Sequence, residues 1–121
     1  MTRGAIEITV NAVDAPRAVA FWAAALGYQV RHVRPPYTVL GPPSGDATLL
    51  LVQQVPAHGD GVGSRVHLDL RVPDPEAEVQ RLVELGATLQ GYLDETDQGG
   101  GVWWVLHDPE GTPFCICPAR G

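Results

Sequence analysis

Two stretches of sequence decide the fold: VDAPRAVAFWAAALGYQV at residues 13–30 and VPDPEAEVQRLVELGATL at residues 72–89. Each stretch begins at the end of a strand-forming segment and continues with a proline that can start a helix. A helix-forming run follows, and a Leu-Gly pair that can end the helix comes after it. In both stretches the glycine comes eleven positions after the proline, and an offset of 59 residues aligns the two stretches. We therefore expect the chain to contain the same structural module twice.

Module one is expected over residues 5–55. Its first segment is rich in β-forming residues and is followed by Asp14, which can cap a helix, and later by Gly27, which can end it. The helix between these two residues is apolar on almost every side, which predicts extensive burial. Three more strands are predicted after the helix, at residues 28–32, 37–40 and 47–54. The module therefore has the order βαβββ.

Module two is expected over residues 65–118 and repeats this order. Asp74 and Gly86 bound its helix, and residues 56–64 form a polar, glycine-rich linker between the modules. The three strands after the helix are predicted at residues 88–92, 101–107 and 112–117. At 121 residues and 45% hydrophobic content, the chain suits one compact α+β domain, residues 1–121, with a cleft between its halves as the natural binding site.

The charge balance argues against two classes of partner. Eight basic and fourteen acidic side chains give a formal charge of −6, which opposes binding to nucleic acid and to an anionic membrane. No apolar run approaches the roughly 20 residues that span a bilayer, and the N-terminal segment lacks the apolar core of a signal peptide. Cys115 and Cys117 lie two positions apart, so one strand would hold them too far apart for easy pairing, and reduced thiols are expected. We expect a cytoplasmic protein.

Three segments carry a family resemblance: FWAAALGY at residues 21–28, RVHLDLRVPDPEAEVQRLVELGA at 65–87 and WVLHDPEGTPFCIC at 104–117. Together they resemble the vicinal oxygen chelate superfamily of glyoxalases, bleomycin-resistance proteins and extradiol dioxygenases. The match is to its small glyoxalase-like domain proteins of actinobacterial type, and it covers essentially the whole chain. The resemblance implies curved mixed sheets from two βαβββ modules around a cup, and pairing of two chains into a homodimer.

The resemblance also implies four metal-ligand positions in the cup, one on the first and one on the last strand of each module. His67 takes the first-strand position in module two, and the offset of 59 places Ile8 at its counterpart. Leu50 and Cys115 take the last-strand positions, where glutamate is usual. Because a catalytic zinc normally needs three protein ligands, His67 and Cys115 alone should not hold a metal. We therefore favour no cofactor.

A register error of one residue would change this expectation. Side chains alternate between the two faces of a strand, so a shift by one would bring Glu7 to the position assigned to Ile8. A fallback metal site would then consist of His67, Glu7 and Gln53, with Gln54 as a substitute for the last. A divalent metal held by this set is the alternative to a metal-free cup.

The first functional hypothesis is a binding protein without the usual metal site. Apolar residues at two ligand positions favour a cup that holds a small apolar or aromatic molecule. Either Trp103 or Trp104 should face this cup, because neighbours on a strand point to opposite sides. The candidate ligand-binding residues are Ile8, Leu50, Trp103, Trp104 and Cys115, with Tyr37 and Tyr92 at the rim and Arg71 for an anionic group.

The second hypothesis is an enzyme of the lyase, isomerase or dioxygenase type. It would use either a metal or a proton transfer by His67 with Asp69, which share one face of the strand. A neutral histidine beside a carboxylate can shuttle protons near pH 7. We expect Cys115 to be a small buried residue and not a nucleophile, because no cationic residue adjoins it in sequence.

Overall fold

The computed structural model describes residues 4–45 and 47–120. Module one consists of strand β1 (Ala5–Ala12), helix α1 (Ala15–Leu26) and strands β2 (Gln29–Arg34), β3 (Tyr37–Gly41) and β4 (Leu49–Gln54). Module two consists of strand β5 (Val66–Val72), helix α2 (Pro75–Glu84) and strands β6 (Thr88–Asp94), β7 (Val102–His107) and β8 (Pro113–Pro118). The βαβββ order occurs twice, so the predicted α+β fold of two such modules is confirmed.

Both α-helices start at the predicted caps. The Asp14 carboxylate accepts a hydrogen bond from the backbone N–H of Arg17, and the Asp74 carboxylate accepts one from Ala77, each at 3.2 Å. Proline occupies the first turn in both helices, where its missing N–H costs nothing. Gly27 ends α1 at φ 68°, in the left-handed region that glycine adopts without strain. Neither α-helix in the described part of the chain is long and apolar enough to cross a membrane.

The described part of the chain divides into two compact units, one within residues 7–67 and one that joins residues 4–6 with residues 68–120. In the first unit the strand order is β2-β3-β4-β1, in which β1 and β4 are parallel and the other pairs are antiparallel. Its core contains Leu40 and Val52, both with no exposed surface, and Ala15 of α1. Helix α1 therefore covers one face of this sheet.

The second unit repeats the arrangement with the strand order β5-β8-β7-β6. Strands β5 and β8 are parallel, and the other pairs are antiparallel. Leu106 and Ile116 have no exposed surface and pack with Val79 of α2. Each unit thus has a sheet face that packs against its own helix, and we call the opposite face of each sheet its far face.

The registers of the two modules correspond residue by residue. The β2–β3 ladder is irregular between Val30 and His32, and the β6–β7 ladder is irregular between Leu89 and Gly91. The two bulges lie 59 positions apart in sequence, as the predicted offset requires. The helix caps do not, because Asp14 and Asp74 lie 60 positions apart. One extra residue stands between the cap and the proline of module one, and the first strands therefore align with an offset of 60.

Candidate functional site

Three chemically reactive side chains meet on the strand pair β5–β8. His67 and Asp69 alternate along β5, and Asp69 lies opposite Cys115 in the parallel ladder. Their nitrogen, oxygen and sulfur atoms lie within 4.8 Å of one another. Asp69 is 6% exposed and Cys115 4%, while His67 is half-buried. We call these three residues the trio.

The electrostatics of the trio keep its thiol protonated. Burial, followed by the charge of Asp69, raises the pKa of the Cys115 thiol well above its usual range. The nearby Arg71 acts in the opposite direction but does not reverse the shift. Because the thiolate is the nucleophilic form of cysteine, this shift disfavours Cys115 as a nucleophile near neutral pH.

Arg71 and Trp103 share the far face of module two with the trio. Their neighbours Val72 and Trp104 belong to the core beside α2, and alternation directs Arg71 and Trp103 away from it. Arg71 donates a hydrogen bond from Nη1 to the carbonyl oxygen of Pro118 at 3.4 Å. Trp103 is half-buried and therefore offers part of its ring as contact surface. As expected, one tryptophan of the pair faces the helix layer and the other does not.

Two residues assigned to the apolar lining lie elsewhere. Leu50 is buried in the core beside α1, and Ile8 packs against the same cluster. The far face of β1 instead carries Glu7, Thr9 and Asn11, which are 3%, 2% and 3% exposed. The sequence analysis placed Ile8 at the counterpart of His67, which was wrong by one residue. The first strands align with an offset of 60, so the counterpart of His67 is Glu7.

Tyr92 and Trp104 also lie away from the far face. Their ring centroids are 4.8 Å apart with the planes inclined by 47°, and Trp104 packs against the core beside α2. Tyr37 is half-buried, and its hydroxyl oxygen accepts a hydrogen bond from Nε2 of Gln53 at 3.4 Å. The structure therefore does not bring all the predicted ligand-binding residues together.

One of the four metal-ligand positions that the resemblance implies carries an apolar residue. In module two Cys115 faces Asp69, and the matching ladder position in module one is Leu51, opposite Thr9. Leu51 has no donor atom, so one of the four positions is lost, although Glu7 and Gln53 do occupy the face that the fallback set required. The trio offers three donors, the number a catalytic zinc needs. A metal bound there would have to displace the thiol proton that burial holds on Cys115.

Sequence reasoning named Glu7 as a fallback ligand but missed two other buried polar residues of β1, Thr9 and Asn11. Asn11 donates hydrogen bonds from Nδ2 to the carbonyl oxygens of Val62 and Ser64, at 3.0 and 2.7 Å, and thereby fixes the linker to the strand. Both contacts are to acceptors, which settles the orientation of the amide. Aligning the two strands on their caps, Asp14 and Asp74, would have revealed this polar face.

Comparisons with solved structures support the fold. A glyoxalase/bleomycin resistance protein/dioxygenase superfamily member from Vibrio splendidus 12B01 is 19% identical, with 93% of this chain and 97% of that chain covered and a TM-score of 0.62. Methylmalonyl-CoA epimerase from Mycobacterium tuberculosis is 18% identical, with 98% and 89% covered and a TM-score of 0.70. A variant of methylmalonyl-CoA epimerase from Streptomyces coelicolor, in complex with 2-nitronate-propionyl-CoA, is 20% identical, with 100% and 96% covered and a TM-score of 0.69.

No curated protein matches the sequence. The family model of the glyoxalase-like domain matches residues 7–117, which is nearly the whole chain and includes both modules. Together with the repeated βαβββ order and the structural neighbours, this match confirms the predicted superfamily. The chain belongs to the glyoxalase-like domain family.

Proposed function

We propose that this protein is an enzyme that moves a proton on a small carbonyl compound, with His67 as the base and Asp69 as its partner. The observation that carries the proposal is the burial of the Asp69 carboxylate beside His67 and Cys115. A buried carboxylate costs free energy and adds little to packing, so it is more typical of a functional site than of a core.

His67, Asp69 and Arg71 would each have a distinct role in this reaction. A neutral imidazole can take a proton from a carbon next to a carbonyl group, and His67 would hold that proton on a ring nitrogen. The Asp69 carboxylate, within 4.8 Å, would orient the ring and stabilise the imidazolium that forms. Arg71, on the same face, can pair with an anionic group of the substrate.

The structural neighbours support a reaction of this class. Two of the three neighbours described above are methylmalonyl-CoA epimerases by name, and one of those two binds 2-nitronate-propionyl-CoA. An epimerisation at a carbon beside a carbonyl group requires a proton to leave and return, which is the chemistry proposed for His67. The proposed substrate class is therefore a small carbonyl compound or thioester with an acidic α-hydrogen.

Hydrogen exchange into such compounds tests the proposal. Incubation in D₂O with a panel of 1,3-dicarbonyl compounds and acyl thioesters, followed by proton NMR, measures enzyme-dependent loss of the α-hydrogen. We expect His67→Gln to slow this exchange by at least about 100-fold, the usual contribution of a general base. Asp69→Asn should slow it less, and the control His107→Gln, on β7, should leave it unchanged. Equal exchange by wild type and His67→Gln would contradict the proposal.

A binding protein is the second candidate function. It is favoured by Trp103, whose half-buried ring lies on the far face with Asp69 and Cys115 and can stack on a flat ligand. A ligand that quenches tryptophan fluorescence of both wild type and Trp104→Phe but not of Trp103→Phe, and whose α-hydrogen does not exchange, would favour binding over catalysis. No cofactor is part of either proposal.

We also propose that the protein is a cytoplasmic homodimer. The outer side of α1 exposes 63% of Phe21 and 47% of Leu26, a surface that a second copy would cover. Cys115 and Cys117 are both free thiols, which suits a reducing compartment. Light scattering after gel filtration tests the assembly, and a mass near 12.9 kDa would contradict it. Cell fractionation of the native host tests the location.

A further inference from the structure

The first unit contains a groove that the proposed reaction does not use. It has a volume of about 360 Å³ and lies between the start of α1 and strands β2 and β3. Its lining is almost wholly apolar and includes Pro16, Val19, Val30, Val33 and Thr38. Val30 is 47% exposed and Val33 58%, so the groove opens to solvent. Its volume lies within the range of small-molecule sites.

Module two shows which side chains occupy the equivalent positions in the repeated fold. The offset and the ladder partners match Val33 with Tyr92, and Thr38 with Trp104. Tyr92 and Trp104 pack ring against ring at 4.8 Å, and Trp104 extends to the core beside α2. Module one has the same backbone register but two small side chains at these positions. The groove therefore corresponds to the space that an aromatic pair fills in module two.

The charge of the first unit restricts the chemistry of an occupant. Residues 7–67 of the sequence include four arginines and four carboxylates, whereas the residues from 68 onward include three arginines against ten carboxylates. Arg17 follows Pro16 of the lining, and Arg34 precedes Pro35, another lining residue. The groove thus lies in the least acidic part of an acidic protein and has two arginines next to its lining in sequence, which favours an anionic ligand over a cationic one.

We propose that this groove is a second small-molecule site, which binds a planar aromatic acid. The ring lies against Val30 and Val33, in the space that corresponds to Tyr92 and Trp104, and the carboxylate lies toward Arg17. Apolar contact and stacking on the proline surfaces supply affinity, and the arginines select the charge. The site is separate in its residues from the trio and does not depend on the proposed reaction.

The test uses 2-naphthoate as the probe and isothermal titration of the full chain. We expect 2-naphthoate to bind at least about tenfold more tightly than the cation 2-naphthylmethylamine. The double variant Val33→Tyr/Thr38→Trp, which places the aromatic pair of module two in the groove, should weaken 2-naphthoate by at least about tenfold. The matched control Val66→Tyr, at a residue 53% exposed on β5, should bind as wild type does.

Amide chemical shifts of the wild-type protein locate the probe independently of any variant. Shifts centred on Val33 and Thr38 support the site, and they should persist in His67→Gln, which separates this site from the proposed active site. Shifts centred on Asp69 and Trp103 would overturn the proposal, as would unchanged binding by a folded double variant. Absence of binding by the wild type at millimolar probe would also overturn it.

Discussion

The free energy of unfolding of the wild type should fall at alkaline pH because of the Cys115 thiol, and replacing Cys115 by alanine should abolish this part of the fall. The thiol is 4% exposed, and burial together with Asp69 raises its pKa in the folded protein. In the unfolded chain the thiol returns to a pKa of about 8.5. Above that pH the folded state binds one proton more than the unfolded state, so the free energy of unfolding falls as pH rises. The thiol's contribution is complete below the unfolded pKa and is lost progressively above it.

The magnitude follows from the difference in proton binding. At pH 9.5, one unit above the unfolded pKa, ionisation stabilises the unfolded chain by RT ln 11, about 1.4 kcal/mol, whereas at pH 7.5 the effect is only about 0.1 kcal/mol. The wild type should therefore lose about 1.3 kcal/mol more than Cys115→Ala between these two pH values. The basic side chains are all arginines, so no lysine titrates in this window.

Urea unfolding followed by tryptophan fluorescence, in the presence of a reducing agent, measures this difference. The comparison uses only the change with pH in each protein, so the packing cost of the substitution and the titration of tyrosines and Cys117 cancel. The slope of the urea dependence should be the same in both proteins, as a two-state comparison requires. An equal loss of stability in wild type and Cys115→Ala would refute the argument that burial holds the proton on this thiol.

Three further predictions concern the caps, the core and the metal. Asp14→Ala and Asp74→Ala should each lower the free energy of unfolding by about 1 kcal/mol, because each removes the cap of a helix, and conservative Asp→Ser variants should recover most of the loss in urea titrations. Leu40→Ala removes a side chain with no exposed surface and should cost about 2–5 kcal/mol, whereas Leu85→Ala, at a residue 66% exposed, should cost less than about 0.5 kcal/mol. Elemental analysis of reduced, untagged protein after incubation with Zn, Ni, Co, Mn or Fe(II) and desalting should find well under one ion per chain; retention near one ion would show that the thiol proton is readily displaced.

Local sequence features predicted the order of elements correctly. Asp14 and Asp74 cap the two helices, and Gly27 ends the first, because capping and left-handed termination depend only on residues within one turn. The observed strand ends lie within two residues of the predicted ones. The alternation argument also succeeded for the tryptophan pair, since adjacent residues on a strand must face opposite sides.

The assignment of faces in module one failed through a single extra residue. The prolines and glycines of the two helices align at an offset of 59, but the caps and first strands align at 60. Side chains in a strand alternate between its two faces, so a shift of one residue moves each side chain to the other face. The prediction therefore placed Ile8 where the structure has Glu7, and an apolar surface where the structure has a polar one. An alignment that treated strand and helix separately would have avoided the error.

The sequence by itself determined the duplicated βαβββ module, its helix ends and its strands, because propensity, capping and alternation act over a few neighbouring residues. Only the tertiary structure decided which residues meet. Asp69 lies beside Cys115 because β5 and β8 pair in one parallel register, and the groove beside Val33 exists because Val33 and Thr38 are opposite each other where Tyr92 and Trp104 are opposite in the other module. The first fact depends on pairing between strands that are far apart in sequence, whose register no local pattern encodes. The second depends on how the β2–β3 hairpin lies against helix α1, a contact that is also distant in sequence.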